Sequence, residues 1–358
     1  MSFFTKTACA VTISCLSISA QANETGDHQH DHTKILPQAH APIGVMGDHM
    51  HNKGEFMFSY RYMDMDMSDN TQGRHNISSD EIATTIPNVF GDMPPTVRVV
   101  PQTMTTKMHM LGFMYAPTND LTLMLMLNYI ERDMTLTTYQ GMTGTTQLGE
   151  FDTESSGLGD TKVGLLYRLH DNDTHHFHLN ANWQIPTGDL EEEAEVLTPM
   201  NMRTTLRMPY AMQLGSGSNI FELGTTYNGY ANKSNWGGQI MYSKALDTND
   251  EGYQVGDKLQ LTAWYGHQLN DFLSSSIRLT YITSDEIDGM DTEITAPVTT
   301  ANPENYGGNY LNASFGLNTV IANKHRVAFE YTVPLEQNAN GVQMKMDKMF
   351  TVGYQIAF

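Results

Sequence analysis

Between residue 55 and the C-terminus, long and short connections alternate without exception, and this rhythm restricts the fold more than any other feature of the chain. Short polar turns stand at Pro117-Thr118-Asn119-Asp120, Asp171-Asn172-Asp173, Asn232-Lys233-Ser234, Asn270-Asp271 and Asn323-Lys324. Between them fall the long connections 67–103, 137–159, 186–218, 246–257, 285–308 and 335–346. The segments they join have period two. In 347–358, Phe350, Val352, Tyr354, Ile356 and Phe358 share one face, and Met349, Thr351, Gly353, Gln355 and Ala357 the other. Such alternation marks a strand lying between two unlike environments.

Further segments of this kind lie near 55–66, 104–115, 121–136, 160–170, 174–185, 219–230, 235–245, 258–268, 272–284, 309–321 and 325–334, making about twelve. A soluble β-sandwich also alternates, but gives no reason for every second connection to be long. Short turns on one side, long loops on the other and an even strand number predict an all-β fold: a transmembrane antiparallel β-barrel of about 12 strands over 55–358, with short periplasmic turns and long acidic external loops. The ending on Phe358, after alternating aromatic and apolar residues, resembles the C-terminal signal read by the barrel-assembly machinery of Gram-negative bacteria.

Composition is consistent with that expectation. No apolar run approaches the ~18 residues of a membrane-spanning helix. Forty acidic against 20 basic residues give a net charge of -20, which excludes a general nucleic-acid binder. Most of the excess acid falls in the long connections. It serves solubility there, or attracts divalent cations that bridge to lipopolysaccharide. Asp247-Thr248-Asn249-Asp250-Glu251-Gly252 begins like a calcium loop, but its twelfth position is Lys258, which cannot ligate. Residues 1–22 read as a secretory signal ending in Ala20-Gln21-Ala22, and both cysteines, Cys9 and Cys15, lie within it. The expected location is the Gram-negative outer membrane, with lipid and lipopolysaccharide as surroundings.

The 25 methionines are placed unevenly. In the first three strands they occupy the face opposite the aromatic and leucine face. The expected lumen lining is therefore Met57, Arg61, Met63, Met108, Met110, Met114, Met124, Met126 and Asn128, joined by Arg168, Glu222, Arg278, Arg326 and Glu330. Thioethers form soft, adaptable apolar surface and also ligate soft ions. Three readings stand open: filling of a narrow lumen, a path for hydrophobic solutes, or a soft-metal path. Residues 23–54 form a His/Met-rich segment, a periplasmic tail or a lumen plug. His28, His30, His32, Met46, His49, Met50 and His51 are its candidate ligands for copper or zinc. No resident cofactor is expected beyond such an ion.

Pro42-Ile43-Gly44-Val45-Met46-Gly47-Asp48-His49-Met50-His51, running into Tyr60-Arg61-Tyr62-Met63, resembles the "MetA-pathway of phenol degradation" family of outer-membrane transporters. The stretches Gly157-Leu158-Gly159-Asp160-Thr161-Lys162-Val163-Gly164 and Met212-Gln213-Leu214-Gly215-Ser216-Gly217-Ser218 resemble it too. The resemblance implies a barrel and passage of small, often aromatic or hydrophobic solutes. The functional expectation is a passive channel, with a metal-handling barrel as the alternative and, behind these, a structural barrel or an outer-membrane lipase. An outer-membrane lipase would need a serine activated by histidine. Ser216, in Leu-Gly-Ser-Gly-Ser, sits in no nucleophile elbow, so no catalytic residue is expected.

Overall fold

The computed structural model describes residues 36–91, 93–322 and 324–358. The stretch 1–22 expected to be a secretory signal, and His28, His30 and His32, lie outside the described residues. From Phe56 onward the chain forms one 13-stranded antiparallel sheet that closes on itself. The first strand (Phe56–Gly73) pairs with Val99–Thr118 on one side and with the final strand (His325–Ala357) on the other. Closure removes both sheet edges, so no backbone hydrogen-bonding row faces lipid unpaired.

Two members of the sheet, His75–Ile77 and Gln147–Leu158, lie off the closed path. The last strand is 33 residues long and passes twice: its first half pairs with Gly308–Ile321 and its second with the first strand. Twelve crossings result. Gln147–Leu158 prolongs the crossing Thr161–Asp171, since both pair with successive parts of Leu121–Tyr139 across a break at Gly159-Asp160.

The polarity of the wall is inverted relative to a soluble core. In the final strand Val327, Phe329 and Tyr331 are exposed, whereas Arg326, Glu330 and Thr332 are buried. Only a solvent that welcomes apolar groups on the outside and a packed polar lumen make both placements favourable. Aromatic rings with polar tips mark the rims. Trp183 Nε1 donates to Asn219 Oδ1 at 3.0 Å and Tyr281 OH to Asn309 Oδ1 at 3.0 Å, on the side of the long loops. Toward the short turns, Tyr227 OH meets His175 Nδ1 at 2.8 Å and Tyr354 OH meets His325 Nδ1 at 2.7 Å. The short turns are built by asparagine: Asn172 Oδ1 accepts from the backbone of Thr174 and His175, and Asn270 Oδ1 from that of Phe272 and Leu273.

The long connections are less loop-like than their sequence predicts. The first strand runs on to Gly73, the next begins at Val99, and a helix (Ser79–Thr85) capped by Ser78 lies between. The expected loop 335–346 is strand almost throughout, turning near Gly341, whose φ is 55°. These extensions stand outside the apolar belt, where water meets the outer face as well. Alternation is lost there although the ladder continues.

Candidate functional site

Residues 36–51 occupy the barrel lumen. They enter near the short turns, bend back at Gly44, and leave beside the turn after Val99–Thr118, where Gly54 N–H donates to Ala116 O at 2.7 Å. An irregular segment has no ladder of its own, and its buried carbonyls need partners. The wall supplies them. Ser274 Oγ donates to Pro37 O (2.8 Å), Tyr230 OH to Ala39 O (2.9 Å), Asn235 Nδ2 to His40 O (3.1 Å) and Arg326 to Ala41 O (2.6 Å). Gln239 Nε2 donates to Met46 O (2.8 Å), the His178 ring to Gly47 O (2.9 Å) and Asn228 Nδ2 to Asp48 O (2.7 Å). The segment is a plug, held mainly through its backbone.

Its apex lies over a buried ion pair between Arg278 and Glu330. A Cβ on Gly44 would fall 2.3 Å from Glu330 Oε1, so any larger residue must push the ion pair aside. Arg326 is shared between Ala41 O, Asn318 Oδ1 (2.6 Å) and Gln355 Oε1 (2.5 Å). Arg61 reaches Met46 Sδ. Arg168 is paired with Asp171 near a short turn, and Glu222 with Lys162 at 2.8 Å.

Asp48 closes the plug into a ring. Its Oδ2 accepts from Ala41 N–H at 3.0 Å, and a turn bonds Val45 N–H to Pro42 O at 3.0 Å. The closure sets His40 beside His49, their Nδ1 atoms 3.4 Å apart, with His49 Nδ1 2.8 Å from Asp48 Oδ1. Burial, together with His49 and Arg326, holds the His40 imidazole well below its usual pKa, and Asp48 opposes this. Burial disfavours the Asp48 carboxylate, but His49, His40 and Arg326 outweigh it and keep the group ionised. Burial and His49 push His51 down to about 4.

The methionines form rungs. Met57, Met114 and Met124 stand opposite one another on the first three crossings, and Met67, Met104 and Met134 repeat the arrangement ten residues along the first strand. Met63 and Met108 face each other between the rungs, half-buried. The lower rung, with Met110 and Met126, lines a small cavity of about 20 Å³ whose remaining walls include Met46, Asp48, His49 and Arg61. Met50 packs against Met57, Met114 and Leu166. Beside the plug lies a polar chamber of about 130 Å³, lined by Lys162, Asn182, Glu222, Gln239, Lys258 and Gln260 among others.

The external end is closed differently. Leu197, Met208, Tyr210 and Met212 from connection 186–218, Tyr253, and Ile287, Ile294, Ala296, Val298 and Ala301 pack as one apolar cluster on Val99, Met104, Met134, Leu136 and Phe151. Arg207 binds Glu251 at 2.6 Å and Asp291 at 3.2 Å, so part of the loop acidity is tied into this cap. Two of the family-like stretches meet at its base. Asp160 Oδ2 accepts from Ser216 N–H (2.9 Å) and Oγ (2.7 Å), and its Oδ1 from Gly188 N–H (3.0 Å). The hydroxyl of Ser216 is thus committed to a carboxylate that pins the loop to the wall. Asn128 Nδ2 joins the same joint through Asp160 O at 3.1 Å.

Sequence reasoning left out His40 and Asp48 as candidate ligands, because their meeting with His49 depends on ring closure. It also left out Lys162 and Lys258. Lys162 has the parity of Arg168 and could have been read from that register; Lys258 sits at a strand end, where parity is weakest.

A closed antiparallel barrel with an apolar outer belt and an occupied lumen defines a β-barrel protein of the outer-membrane type. Residues 94–339 match the signature of the "MetA-pathway of phenol degradation" family, and the chain belongs to that family. Its fold is similar to that of the COG4313 outer membrane channel from Pseudomonas putida F1, at a TM-score of 0.58 and 14% identity over 88% of this chain and 100% of that one. The Pseudomonas putida toluene transporter TodX is a more distant likeness, with a TM-score of 0.43 and 10% identity over 86% of this chain and 90% of that one. No curated protein matches the sequence.

Proposed function

We propose that the protein is a channel of the Gram-negative outer membrane for small apolar or aromatic solutes, with two gates in series. The observation that carries this reading is the lining: thioether rungs stand at both closures, and the external cap encloses apolar walls rather than a water-filled mouth. Flexible thioethers adapt to varied apolar shapes at little cost. A porin for sugars or ions would instead keep polar, hydrated walls through its constriction. The description of the family, phenol degradation, agrees with such solutes. The polar groups of the Lys162–Glu222–Lys258 chamber lie beside the plug.

The exposed aromatic rims place the bilayer around the barrel, and the strand ending on Phe358 is the surface offered to the assembly machinery. The acidic external extensions face lipopolysaccharide. Ser216 belongs to a structural joint, in keeping with transport rather than hydrolysis.

The test is uptake by vesicles carrying the refolded protein. Phenol or toluene should enter faster than into empty vesicles, with no matching gain for glucose or arabinose. Equal rates for the aromatic with and without protein, or a larger gain for the sugars, would sink the proposal.

A further inference from the structure

The plug holds a set of donors that the channel reading does not use. We propose that His40, Asp48 and His49 form a copper-binding site inside the lumen. Three ligand atoms, one from each residue, lie within 4.8 Å of one another. The two imidazole Nδ1 atoms are 3.4 Å apart. Ligands at ~2.0–2.1 Å from a tetrahedral ion stand about 3.3–3.4 Å from each other, so this spacing suits a shared ion. His49 Nδ1 also lies 2.8 Å from Asp48 Oδ1, so an ion held here would replace the proton that a ring nitrogen carries between these acceptors.

A second observation is independent of that spacing. Among the described residues, His49 Nε2 and His51 Nε2 are shut off from solvent with no hydrogen-bond partner, and the His49 and His51 rings lie 4.9 Å apart in an edge-on arrangement. Buried imidazole nitrogens left without partners are costly. An ion on the Nδ1 side leaves these two Nε2 atoms as they are; what they show is that protein groups alone do not satisfy the imidazoles gathered in the plug.

The neighbours choose the ion. One carboxylate is too few oxygens for calcium or magnesium, which need six or more. Imidazole suits zinc and copper alike, but thioethers favour Cu(I). Asp48 and His49 open onto the cavity of about 20 Å³ whose walls carry Met46, Met57, Met110, Met114, Met124 and Met126. That space holds one ion or water and no organic solute. Asp48 already joins the ends of the 41–48 ring, and an ion on His40 and His49 would fasten the same closure.

The experiment uses the full mature chain in detergent, titrated anaerobically with Cu(I) against a chromophoric chelator. His28, His30 and His32 are first replaced by alanine, so that only the plug is read. One equivalent should bind, and adding His40→Asn with His49→Asn should weaken it at least 100-fold, with heat-dependent gel mobility unchanged. Undiminished Cu(I) affinity in that variant, or uptake of Zn²⁺ but not Cu(I), overturns the site. If the variant fails to fold, X-ray absorption at the copper edge of the loaded parent decides: imidazole scattering with a sulfur shell supports the assignment, and an edge without imidazole overturns it. Binding is measured with no solute present, so this result and the uptake result stand or fall separately.

Discussion

The two closures of the lumen make an instructive pair. The plug is fastened through its backbone: at least seven of its carbonyls accept bonds from wall side chains, from Pro37 to Asp48. The external cap is fastened through apolar side chains packed on inward-facing strand residues. Hydrogen bonds of the first kind exchange readily with water, each netting about 0.5–1.5 kcal/mol. Apolar packing of the second kind has no substitute in water and cannot be released stepwise. The plug is therefore built to yield bond by bond, and the cap to yield as a unit.

The largest effect expected from breaking this arrangement is at the ion pair beneath the plug. Glu330→Ala leaves Arg278 buried without its partner and should cost about 3–5 kcal/mol. Unfolding of the detergent-solubilised barrel, followed by gel mobility against temperature, checks it; an unchanged midpoint would show that the pair is dispensable. Next comes the cap. Met208→Ala removes a fully buried side chain and should cost about 2–5 kcal/mol. Protease cleavage within connection 186–218 should rise sharply while the plug stays protected.

A smaller effect should follow from one plug anchor. Asn228→Ala removes the bond to Asp48 O and should loosen the plug by about 1 kcal/mol. Cys9 and Cys15 are the only cysteines in the sequence, so a single Val45→Cys probe reports the opening. Thiol labelling should quicken by roughly five- to tenfold, with proteolysis of the cap unaltered. If Asn228→Ala frees the cap as well, the two closures are coupled and the comparison fails. Least of all should change on Arg203→Ala, whose pairing with Glu195 at 3.1 Å is exposed on both sides. A shift within about 1 kcal/mol is expected, and less at high salt.

Legibility in the sequence follows the same division of environments. Where one face meets lipid and the other the packed lumen, as at Arg326–Thr332, parity alone gives the inward residues. At Ser68–Gly73 the buried residues Asn70 and Thr71 are as polar as their exposed neighbours Asp69 and Gln72, and the register shifts between Ser68 and Asn70, so the strand continues unseen. Composition marked the plug as rich in histidine and methionine, yet its path rests on contacts with residues up to 285 positions away. His40 illustrates the limit: its relation to His49 passes through the Asp48–Ala41 bond, a closure that no local pattern announces.

The anchors of the plug also bear on the order of assembly. Its outward end hangs on Tyr230, Asn235 and Ser274, but Ala41 is held by Arg326, and Gly44 fits against Glu330. Both of those residues belong to the strand that joins the first to complete the cylinder. An unfinished sheet thus lacks part of the seat for its own stopper. The seat for the segment leading into the first strand is complete only once the last strand is in place, so sealing the wall cannot follow a fully seated plug.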